Sequence, residues 1–405
     1  QSLEKSGMGE NLSATNGDLL FYDYKHAYLD NSQGIKSGQT TVGGSPWGQG
    51  RLVSFFGRVN YDWKETYMAS LVMRADASSN FARGNRWGYF PSASLGWVLS
   101  NESFMESTKN WLDFLKLRAS WGQNGNCNIS NFQYLSTVSF DDTAAYSFGN
   151  NKDSQTTGGY ANILPNPDVK WETSEQLDLG FDANLLSSRL RVAFDWYNKK
   201  TKDWLVVAPQ LASYGTGAPY INGGDVENKG FELALGWNDK IGKDFTYGIN
   251  ANLSYNKNEV TRIANSEGII HGVENVLSQG TTEMYRAQVG KPIGYFYGYK
   301  TAGIFQNQAD IDAWKAAGNG ILQSNPQPGD VKFVDLNQDG KITANEDKTD
   351  IGNPHPDYTL GLGLNFGYKG FDLNIAAHGA FGQQIAKSYR KFVDGRHENY
   401  TTEVY

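Results

Sequence analysis

Apolar and polar residues alternate along most of the chain, in segments of about ten residues separated by polar turns or loops. The segments are residues 53–63, 67–76, 93–99, 115–122, 177–184, 190–197, 231–237, 245–256, 358–368 and 371–378. In the most regular one, Ile249, Ala251 and Leu253 point to one side of an extended chain, whereas Asn250 and Asn252 point to the other. A period of two predicts β-strands, and about ten residues is the length that a tilted strand needs to cross a bilayer.

Two further patterns favour a membrane barrel over a soluble β-sandwich or propeller. Aromatic residues recur at the segment ends, as at Trp63, Tyr255 and Tyr368, where barrels carry girdles at the membrane interface. Short turns such as residues 64–65 alternate with long polar stretches such as residues 122–171. We therefore predict an all-β chain that is a fragment of a large antiparallel transmembrane β-barrel, with short periplasmic turns and long extracellular loops.

The polar side of the predicted strands is expected to line a water-filled or plugged lumen, because it carries many glycines and charges. Its charged residues include Arg58, Arg74, Arg118, Arg191, Asp62, Asp76, Asp178 and Asp195. These side chains could pair across strands or contact a plug, and we expect pairing.

Composition narrows the function classes. Among the 405 residues are 46 Gly, 23 Tyr and 11 Trp, which argues against a disordered chain or a helical bundle. The net charge of −7 gives no cationic surface for a nucleic acid. No run approaches the roughly 20 apolar residues of a spanning helix. The single cysteine, Cys127, cannot form an internal disulfide and is expected to be an incidental thiol in a polar loop.

One segment matches a specific metal-binding pattern, the twelve-residue EF-hand calcium loop. Its predicted ligands are Asp335, Asn337, Asp339, the backbone carbonyl of Lys341 and a bidentate Glu346, with Thr343 acting through water and Gly340 allowing the sharp turn. The flanking residues do not form the usual helices of an EF-hand, so the alternative is an Asx-rich turn without metal. We predict a structural Ca²⁺ site in an extracellular insertion over residues 329–350.

Just upstream, residues 307–318 predict a short helix in a loop. Asn307 is the expected N-cap, with Asp310 at the third helical position. Ile311 and Trp314 are expected to pack on neighbouring loops.

The candidate substrate contacts are aromatic residues that the sequence places in loops. Trp47, Trp87, Tyr89 and Tyr160 could stack on sugar rings or peptide side chains, or they could pack loops together. Enzyme signatures such as His-Glu-x-x-His, Gly-x-Ser-x-Gly and the Walker loop are absent, so we predict that the protein is not an enzyme.

Several longer phrases resemble the barrel of SusC-like TonB-dependent transporters. They are NRWGYFPSASLGW (85–97), LKLRASWGQNGN (115–126), PNPDVKWETSEQLDLG (165–180), NKGFE (228–232), GKPIGYFYGYK (290–300) and GDVKFVDLNQDG (329–340). The likeness runs from about Arg51 to the end, but it includes no TonB box, no plug and no last strands. We therefore expect residues 1–405 to be the middle and later part of one barrel domain.

The resemblance implies a transporter in the outer membrane of a Gram-negative bacterium of the Bacteroidetes type, surrounded by membrane lipid. In that family a SusD-like surface lipoprotein caps the barrel, and TonB pulls on the plug to release a bound oligosaccharide or peptide. The resemblance also allows a dimer of transporter–lid pairs. We expect import of an oligomeric nutrient, with oligosaccharides favoured over peptides. A passive porin, or a calcium-stabilised surface adhesin that transports nothing, is the alternative.

Overall fold

The computed structural model describes residues 2–6, 50–147, 155–208, 214–276 and 282–386. The strands are β1 (Ser2–Ser6), β2 (Gly50–Trp63), β3 (Tyr67–Ser78), β4 (Trp87–Val98), β5 (Leu112–Asn126), β6 (Val138–Ser147), β7 (Gln155–Ala161), β8 (Glu172–Leu185), β9 (Leu190–Lys202), β10 (Leu205–Val207), β11 (Tyr220–Asn222), β12 (Gly224–Ile241), β13 (Phe245–Ile263), β14 (Ile269–His271), β15 (Tyr285–Gln288), β16 (Tyr295–Tyr299), β17 (Thr301–Ile304), β18 (Val331–Phe333), β19 (Lys348–Gly352), β20 (Tyr358–Tyr368) and β21 (Phe371–Phe381). The helices are α1 (Gln308–Ala316) and two short 3-10 helices, Leu99–Asn101 and Ser103–Thr108.

The chain divides into two compact units. Unit 1 consists of Gln1–Glu106, Lys116–Leu179 and Lys199–Asp225. Unit 2 consists of Ser107–Leu115, Gly180–Asn198 and Val226–Tyr405.

In unit 1 the main sheet has the order β1, β2, β3, β4, β5, β8. The β2–β3 hairpin pairs twelve residues on each strand, from Leu52 opposite Ser78 to Trp63 opposite Tyr67. The predicted turn residues, 64–65, have φ values of 54° and 53°, and Thr66 completes a three-residue connection in which its N–H donates to the Trp63 carbonyl at 3.0 Å. Positive φ at both turn positions matches the right-handed twist of the strands, so the short-turn prediction is confirmed here.

In unit 2 the main sheet has the order β8, β9, β12, β13, β20, β21. Strands β13 and β20 are antiparallel over eleven residue pairs, from Phe245 opposite Tyr368 to Tyr255 opposite Tyr358. β20 and β21 form a second hairpin of eleven pairs. The prediction of long antiparallel strands is confirmed.

One face of each unit's sheet is apolar and open. Leu71 and Leu95 in unit 1 are 59% and 62% exposed, and Phe371 in unit 2 is 80% exposed. A soluble sandwich would bury such side chains beneath a second layer. The exposure of these rows therefore contradicts the sandwich alternative and agrees with the predicted alternation of apolar and polar faces.

A small hydrophobic core lies in unit 1 beside the main sheet. It contains Phe81, Phe90, Ile129, Val169 and Trp171. The rings of Phe81 and Phe90 lie 5.4 and 5.5 Å from that of Trp171, and the Trp171 Nε1–H donates to the Arg86 carbonyl at 2.9 Å. This cluster fixes the loops that follow β3, β5 and β7.

Shorter sheets form in the segments between the long strands. They are β6–β7 and β10–β11 in unit 1, and β14–β15–β16–β19 and β17–β18 in unit 2. The predicted loop helix is confirmed as α1, where the Asn307 side chain accepts from the Asp310 N–H at 2.9 Å and Ile311 is fully buried. Across the described residues, every helix falls short of the length and apolar character needed to cross a membrane.

Candidate functional site

Two of the predicted substrate-contacting aromatics lie together in one long strand rather than in a loop. Trp87 and Tyr89 belong to β4, with ring centroids 6.4 Å apart, and Phe55 of β2 stacks on Trp87 at 6.2 Å. All three lie on the apolar face of unit 1, since Trp87 pairs with Ala77 and Tyr89 with Ala75. The loop assignment was therefore wrong for both.

The other two predicted substrate contacts lie elsewhere. Tyr160, which was also assigned to a loop, lies in the short strand β7 opposite Ser139 of β6, and it is exposed. Trp47 falls outside the described residues. Substrate contact by any of the four aromatics stays a prediction.

The predicted calcium-binding segment folds as a tight loop around Asp335. The Asp335 carboxylate is buried and accepts from the backbone N–H groups of Gly340 at 2.8 Å, Asp339 at 3.3 Å and Gly320 at 3.3 Å. Gly340 has φ +82°, the left-handed conformation for which glycine was expected at this position.

The remaining predicted ligands also bond within the loop. The Asn337 side chain accepts from Asp339 N–H at 3.2 Å, and that of Asp339 accepts from Lys341 N–H at 2.8 Å. Glu346 accepts from the Thr343 hydroxyl at 3.3 Å. Over the described part of the chain, no group of three or more His, Cys, Asp or Glu side chains gathers as around a metal ion. Calcium binding stays a prediction.

A residue that the sequence reasoning missed holds this loop together. Asp347 is fully buried, and its two carboxylate oxygens accept from Leu336 N–H at 2.8 Å and Thr343 N–H at 2.7 Å. The carboxylate thus links Leu336, near the start of the loop, to Thr343, near its end. The EF-hand pattern ends at Glu346, so it gave no reason to look one residue further.

Helix α1 packs against neighbouring loop segments, as predicted. The Trp314 Nε1–H donates to the Gly320 carbonyl at 3.2 Å. Lys332 lies over the rings of Phe305 and Trp314 and forms an ion pair with Asp310 at 2.7 Å. The hydrogen bond from Lys332 holds the pKa of Asp310 below its usual value.

A histidine with two carboxylate neighbours lies in the β14–β15 loop sheet of unit 2. His271 Nδ1 is 3.0 Å from Glu283 and Nε2 is 3.1 Å from Glu267. The hydrogen bond to Glu283 raises the pKa of His271 above its ordinary 6.5; partial burial opposes this, and Glu267 adds to it. Burial alone would raise the pKa of Glu283, but hydrogen bonds from His271 and Arg286 lower it.

A polar cavity of about 620 Å³ lies against the polar face of unit 1. Strands β2 to β5 and Trp171 form its walls. Six side-chain amides line it: Asn80, Gln123, Asn124, Asn126, Asn128 and Asn131. The charged residues of the lining, within the described part, are Arg51, Arg74 and Asp76.

In this cavity wall, Arg74 is held by hydrogen bonds to two buried side chains. Its Nε–H donates to Asp76 at 2.6 Å and its Nη2–H to the Ser54 hydroxyl at 3.3 Å. Asp76 and Ser54 are 5% and 2% exposed, whereas half of the Arg74 side chain is accessible. The expected pairing across strands is therefore wrong for Arg74 and Asp76, which lie two residues apart on β3 and share a face because the strand period is two.

One aromatic ring shapes the cavity wall. Phe90 lies over Gly125 and beside Gly88, and a Cβ added at either glycine would collide with its ring. The single cysteine, Cys127, was expected to be an incidental thiol in a polar loop. In the structure it is partly buried, packs against the hydrophobic core and lines the cavity.

Comparison with known proteins identifies a protein family and several relatives. The profile of the family described as "TonB dependent receptor-like, beta-barrel" matches residues 4–390. TonB-dependent receptor P3 of Formosa agariphila is 34% identical over 335 residues, which cover 82% of this chain and 32% of that protein. TonB-dependent receptor SusC of Bacteroides thetaiotaomicron is 31% identical over 344 residues, which cover 82% of this chain and 31% of that protein.

Solved structures of transporters share the fold of this chain. A structure of the RagAB peptide transporter superimposes with a TM-score of 0.70 at 25% identity, covering 92% of this chain and 38% of that one. The RagAB peptide importer in the closed-closed state gives a TM-score of 0.68 at 25% identity, covering 87% of this chain and 36% of that one. The chain thus spans about a third of the length of the curated relatives that it matches.

Proposed function

The chain belongs to the TonB-dependent receptor-like β-barrel family, and on that premise we propose that it forms part of the wall of an outer-membrane transporter for an oligomeric nutrient. The observation that carries this proposal is the two-sided sheet. Apolar rows such as Leu71 and Leu95 are open on one face, and a charged, amide-rich surface lies on the other. Such a sheet suits lipid outside and an aqueous passage inside.

The proposed mechanism is binding followed by gated release, without covalent chemistry. A SusD-like surface lipoprotein would cap the barrel, and TonB would supply the energy from the inner membrane. The matched relatives come from Formosa and Bacteroides, which supports a Bacteroidetes-type outer membrane as the location. We favour an oligosaccharide over a peptide as cargo, because planar amides and arginines hydrogen-bond well to sugar hydroxyls.

Energy-dependent uptake tests this function. Cells that carry the complete receptor are given fluorescent oligosaccharides, and accumulation is compared with that in strains lacking TonB or the lid lipoprotein. We expect accumulation to stop in both. Unchanged uptake without TonB would support a passive porin instead, and surface binding with no accumulation in any strain would support an adhesin.

We also propose that the loop over residues 335–346 binds Ca²⁺ and thereby stabilises the external insertion. Support comes from the donor chemistry, since carboxylate, amide and backbone oxygens are the ligands that Ca²⁺ prefers. Gly340 at positive φ and the inward turn of Asp335 provide the sharp bend that such loops need. Glu346 would have to leave Thr343 to close the site.

Calorimetry with Ca²⁺ tests the site. The wild-type receptor should bind one Ca²⁺ per chain at this loop, and Asp339→Ala should abolish that binding, because it removes a direct ligand. Asp312→Ala on α1 is the matched control, since Asp312 lies outside the loop and accepts a hydrogen bond from the Gln308 side chain of its own helix. Equal binding by wild type and Asp339→Ala would leave only an Asx-rich turn.

A further inference from the structure

We infer that the lipid-facing side of unit 1 carries a binding site for the phosphate group of a glycolipid in the outer leaflet of the membrane, with Lys200 and Lys202 as its cations. Both lysines lie on β9, and Glu175 of β8 and Trp121 of β5 complete the cluster. The site lies on the outside of the barrel wall, so it is independent of the cargo and goes beyond the transport function.

Hydrogen bonds place this lysine cluster on the apolar face of the sheet. The Trp121 Nε1–H donates to the Glu175 carboxylate at 3.0 Å, and the Lys202 ammonium donates to the same carboxylate at 2.6 Å. Trp121 pairs with Ala93, and Ala93 pairs with Leu71 of the exposed apolar row. Directly paired residues share a face of an antiparallel sheet, so Trp121, Glu175 and Lys202 lie on the side that faces lipid.

The residues between them point to the other face. The hydroxyl groups of Ser174 and Thr201 lie 3.0 Å apart and join β8 to β9 there. Lys200 precedes Thr201 in a strand with a period of two, so it shares the face of Lys202. Lys199, which is also exposed, shares the face of Thr201. Two adjacent lysines of one strand therefore belong to opposite faces of the sheet.

The lysine cluster lies where the apolar row ends on the extracellular side. On β8, Glu175 is followed on the same face by Leu177 and Leu179, which are 39% and 44% exposed. β8 begins just before Glu175, after the long stretch that contains β6 and β7, and β9 ends at Lys202. Long loops mark the extracellular ends of strands in such barrels. The cluster therefore lies at the height of the outer headgroups, where tryptophans such as Trp121 are enriched.

The charge of the cluster favours an anion. Lys200 and Lys202 together face a single carboxylate, that of Glu175, so positive charge is in excess. The nearby Asp203 pairs instead with Lys170 at 2.8 Å. An ammonium group has three N–H donors, and the pair with Glu175 uses one of those on Lys202, whose side chain is half exposed.

The lysines at the long-loop ends of β12 and β13 in unit 2 differ in this respect. Lys229 pairs with Glu227 of its own strand at 2.8 Å, and Lys257 pairs with Glu259 of its own strand at 3.0 Å. Each of these two lysines thus has a carboxylate to itself. The surplus of positive charge distinguishes the cluster of unit 1 from them.

A phosphorylated glycolipid matches both parts of this surface. The outer leaflet of a Gram-negative outer membrane is built from such a lipid, lipopolysaccharide, whose anchor, lipid A, carries phosphate on its sugars. Phosphate oxygens accept charge-assisted hydrogen bonds from lysines, and lysines strengthen binding to anionic lipid surfaces. The exposed Leu177 and Leu179 on the same face offer apolar contact to the acyl chains.

Lipid binding to the complete receptor tests the site. Native mass spectrometry measures the Kd of the first bound lipid for lipid A, for enzymatically dephosphorylated lipid A and for phosphatidylglycerol. We expect phosphorylated lipid A to bind most tightly, and Lys200→Gln to raise its Kd about fivefold, the size expected for one lysine at an anionic lipid surface. Lys199→Gln is the matched control, since it removes the same charge from the other face of β9 and should leave this Kd unchanged.

Glu175→Gln should change the affinity in the opposite direction. Loss of its negative charge should lower the Kd for phosphorylated lipid A several-fold, because the phosphate then meets both lysines without a competing carboxylate. If the ion pair served only to join β8 to β9, breaking it would give no tighter binding, which would contradict the site. If Glu175→Gln fails to fold, Lys202→Gln, at an exposed position, should still raise the Kd several-fold.

Three further results would overturn the inference. Equal affinity for lipid A with and without phosphate would remove the role of the anion. Equal losses in Lys200→Gln and Lys199→Gln would remove the role of the lipid-facing side. Equal or tighter binding of phosphatidylglycerol would assign the lysines to phospholipid headgroups instead of the outer-leaflet glycolipid. Uptake that depends on TonB would stand in each of these cases, because it tests the transport function separately.

Discussion

An arginine placed on the apolar face should destabilise the barrel far more than the same arginine on the polar face. Leu362 and Gly363 are neighbours on β20, but they point to opposite faces. Leu362 is paired with Ala251 and Ala377, and it is exposed on the apolar side. A Cβ at Gly363 has no neighbouring atom closer than 3.9 Å, so a side chain fits there.

The structure sets the expected magnitude. Between the aromatic pairs Phe245–Phe366 and Tyr255–Tyr358, strand β13 rises ten steps of about 3.4 Å, which at a tilt of about 40° is about 26 Å. That height matches the apolar band of about 25 Å in membrane barrels. Leu362 lies near its middle, where an arginine facing lipid costs about 2–4 kcal/mol. Gly363→Arg should cost less than about 1 kcal/mol, because its charge stays in water.

Urea unfolding of the complete barrel in lipid vesicles measures both costs, with tryptophan fluorescence as the signal. We expect Leu362→Arg to lower the free energy of unfolding by about 2–4 kcal/mol and Gly363→Arg to leave it nearly unchanged. Equal losses, or a larger loss at Gly363, would refute the assignment of the two faces.

Two further predictions concern unit 1 and the loop sheet. Gly125→Ala should lower the free energy of unfolding by about 1–3 kcal/mol, because the new methyl group collides with the Phe90 ring. Gly57→Ala is the control, since a Cβ there has open space around it and should leave the free energy of unfolding unchanged. Equal losses in urea unfolding of the two variants would refute this prediction. His271 should stabilise the β14–β15 sheet fully below pH 6.5 and progressively less as the pH rises through its raised pKa, since protonated His271 pairs with Glu283. Hydrogen exchange of the β14–β15 amides, corrected for intrinsic pH effects, should show less protection as the pH rises. His271→Gln should remove this pH dependence. An unchanged pH profile of protection in His271→Gln would refute the role of His271.

The long strands could be predicted because each one carries its own signal. In β13, alternate residues such as Asn250 and Ala251 already differ in polarity, and the register of a hairpin follows from its short turn. The helix α1 was predictable for the same reason, since its N-cap Asn307 lies within the segment itself. Short strands such as β14 and β15 have too few residues for a period of two to emerge.

The start of β4 shows where local reasoning fails. Trp87 and Tyr89 were assigned to a loop, and Pro91, which has no N–H, would also argue against a central strand. In the structure β4 pairs with β3 along its whole length, but it pairs with β5 only from Ser92 onward. Pro91 therefore lies where the second edge of the strand is free. The pairing stops although β5 itself continues to Asn126, and the residues around Pro91 do not encode where the two strands separate.

The cavity was unpredictable for a related reason. Arg74, Phe90 and Asn124 come from three strands, and only the register between them brings them to one wall. The sequence shows each residue on the polar side of its own strand, but not which residues become neighbours. Likewise, the calcium pattern located the loop around Asp335, whereas the role of Asp347 follows from burial and two hydrogen bonds.

A nitroxide scan along residues 359–367 of β20 tests the central claim most directly. Single spin labels in the complete receptor, reconstituted in lipid, are exposed to oxygen, which concentrates in the bilayer, and to a water-soluble nickel chelate. Collisions with oxygen should peak at positions 360, 362, 364 and 366, and collisions with nickel at 361, 363, 365 and 367. Accessibility that does not alternate, or alternates in the opposite phase, would contradict a sheet with lipid on one side and an aqueous passage on the other.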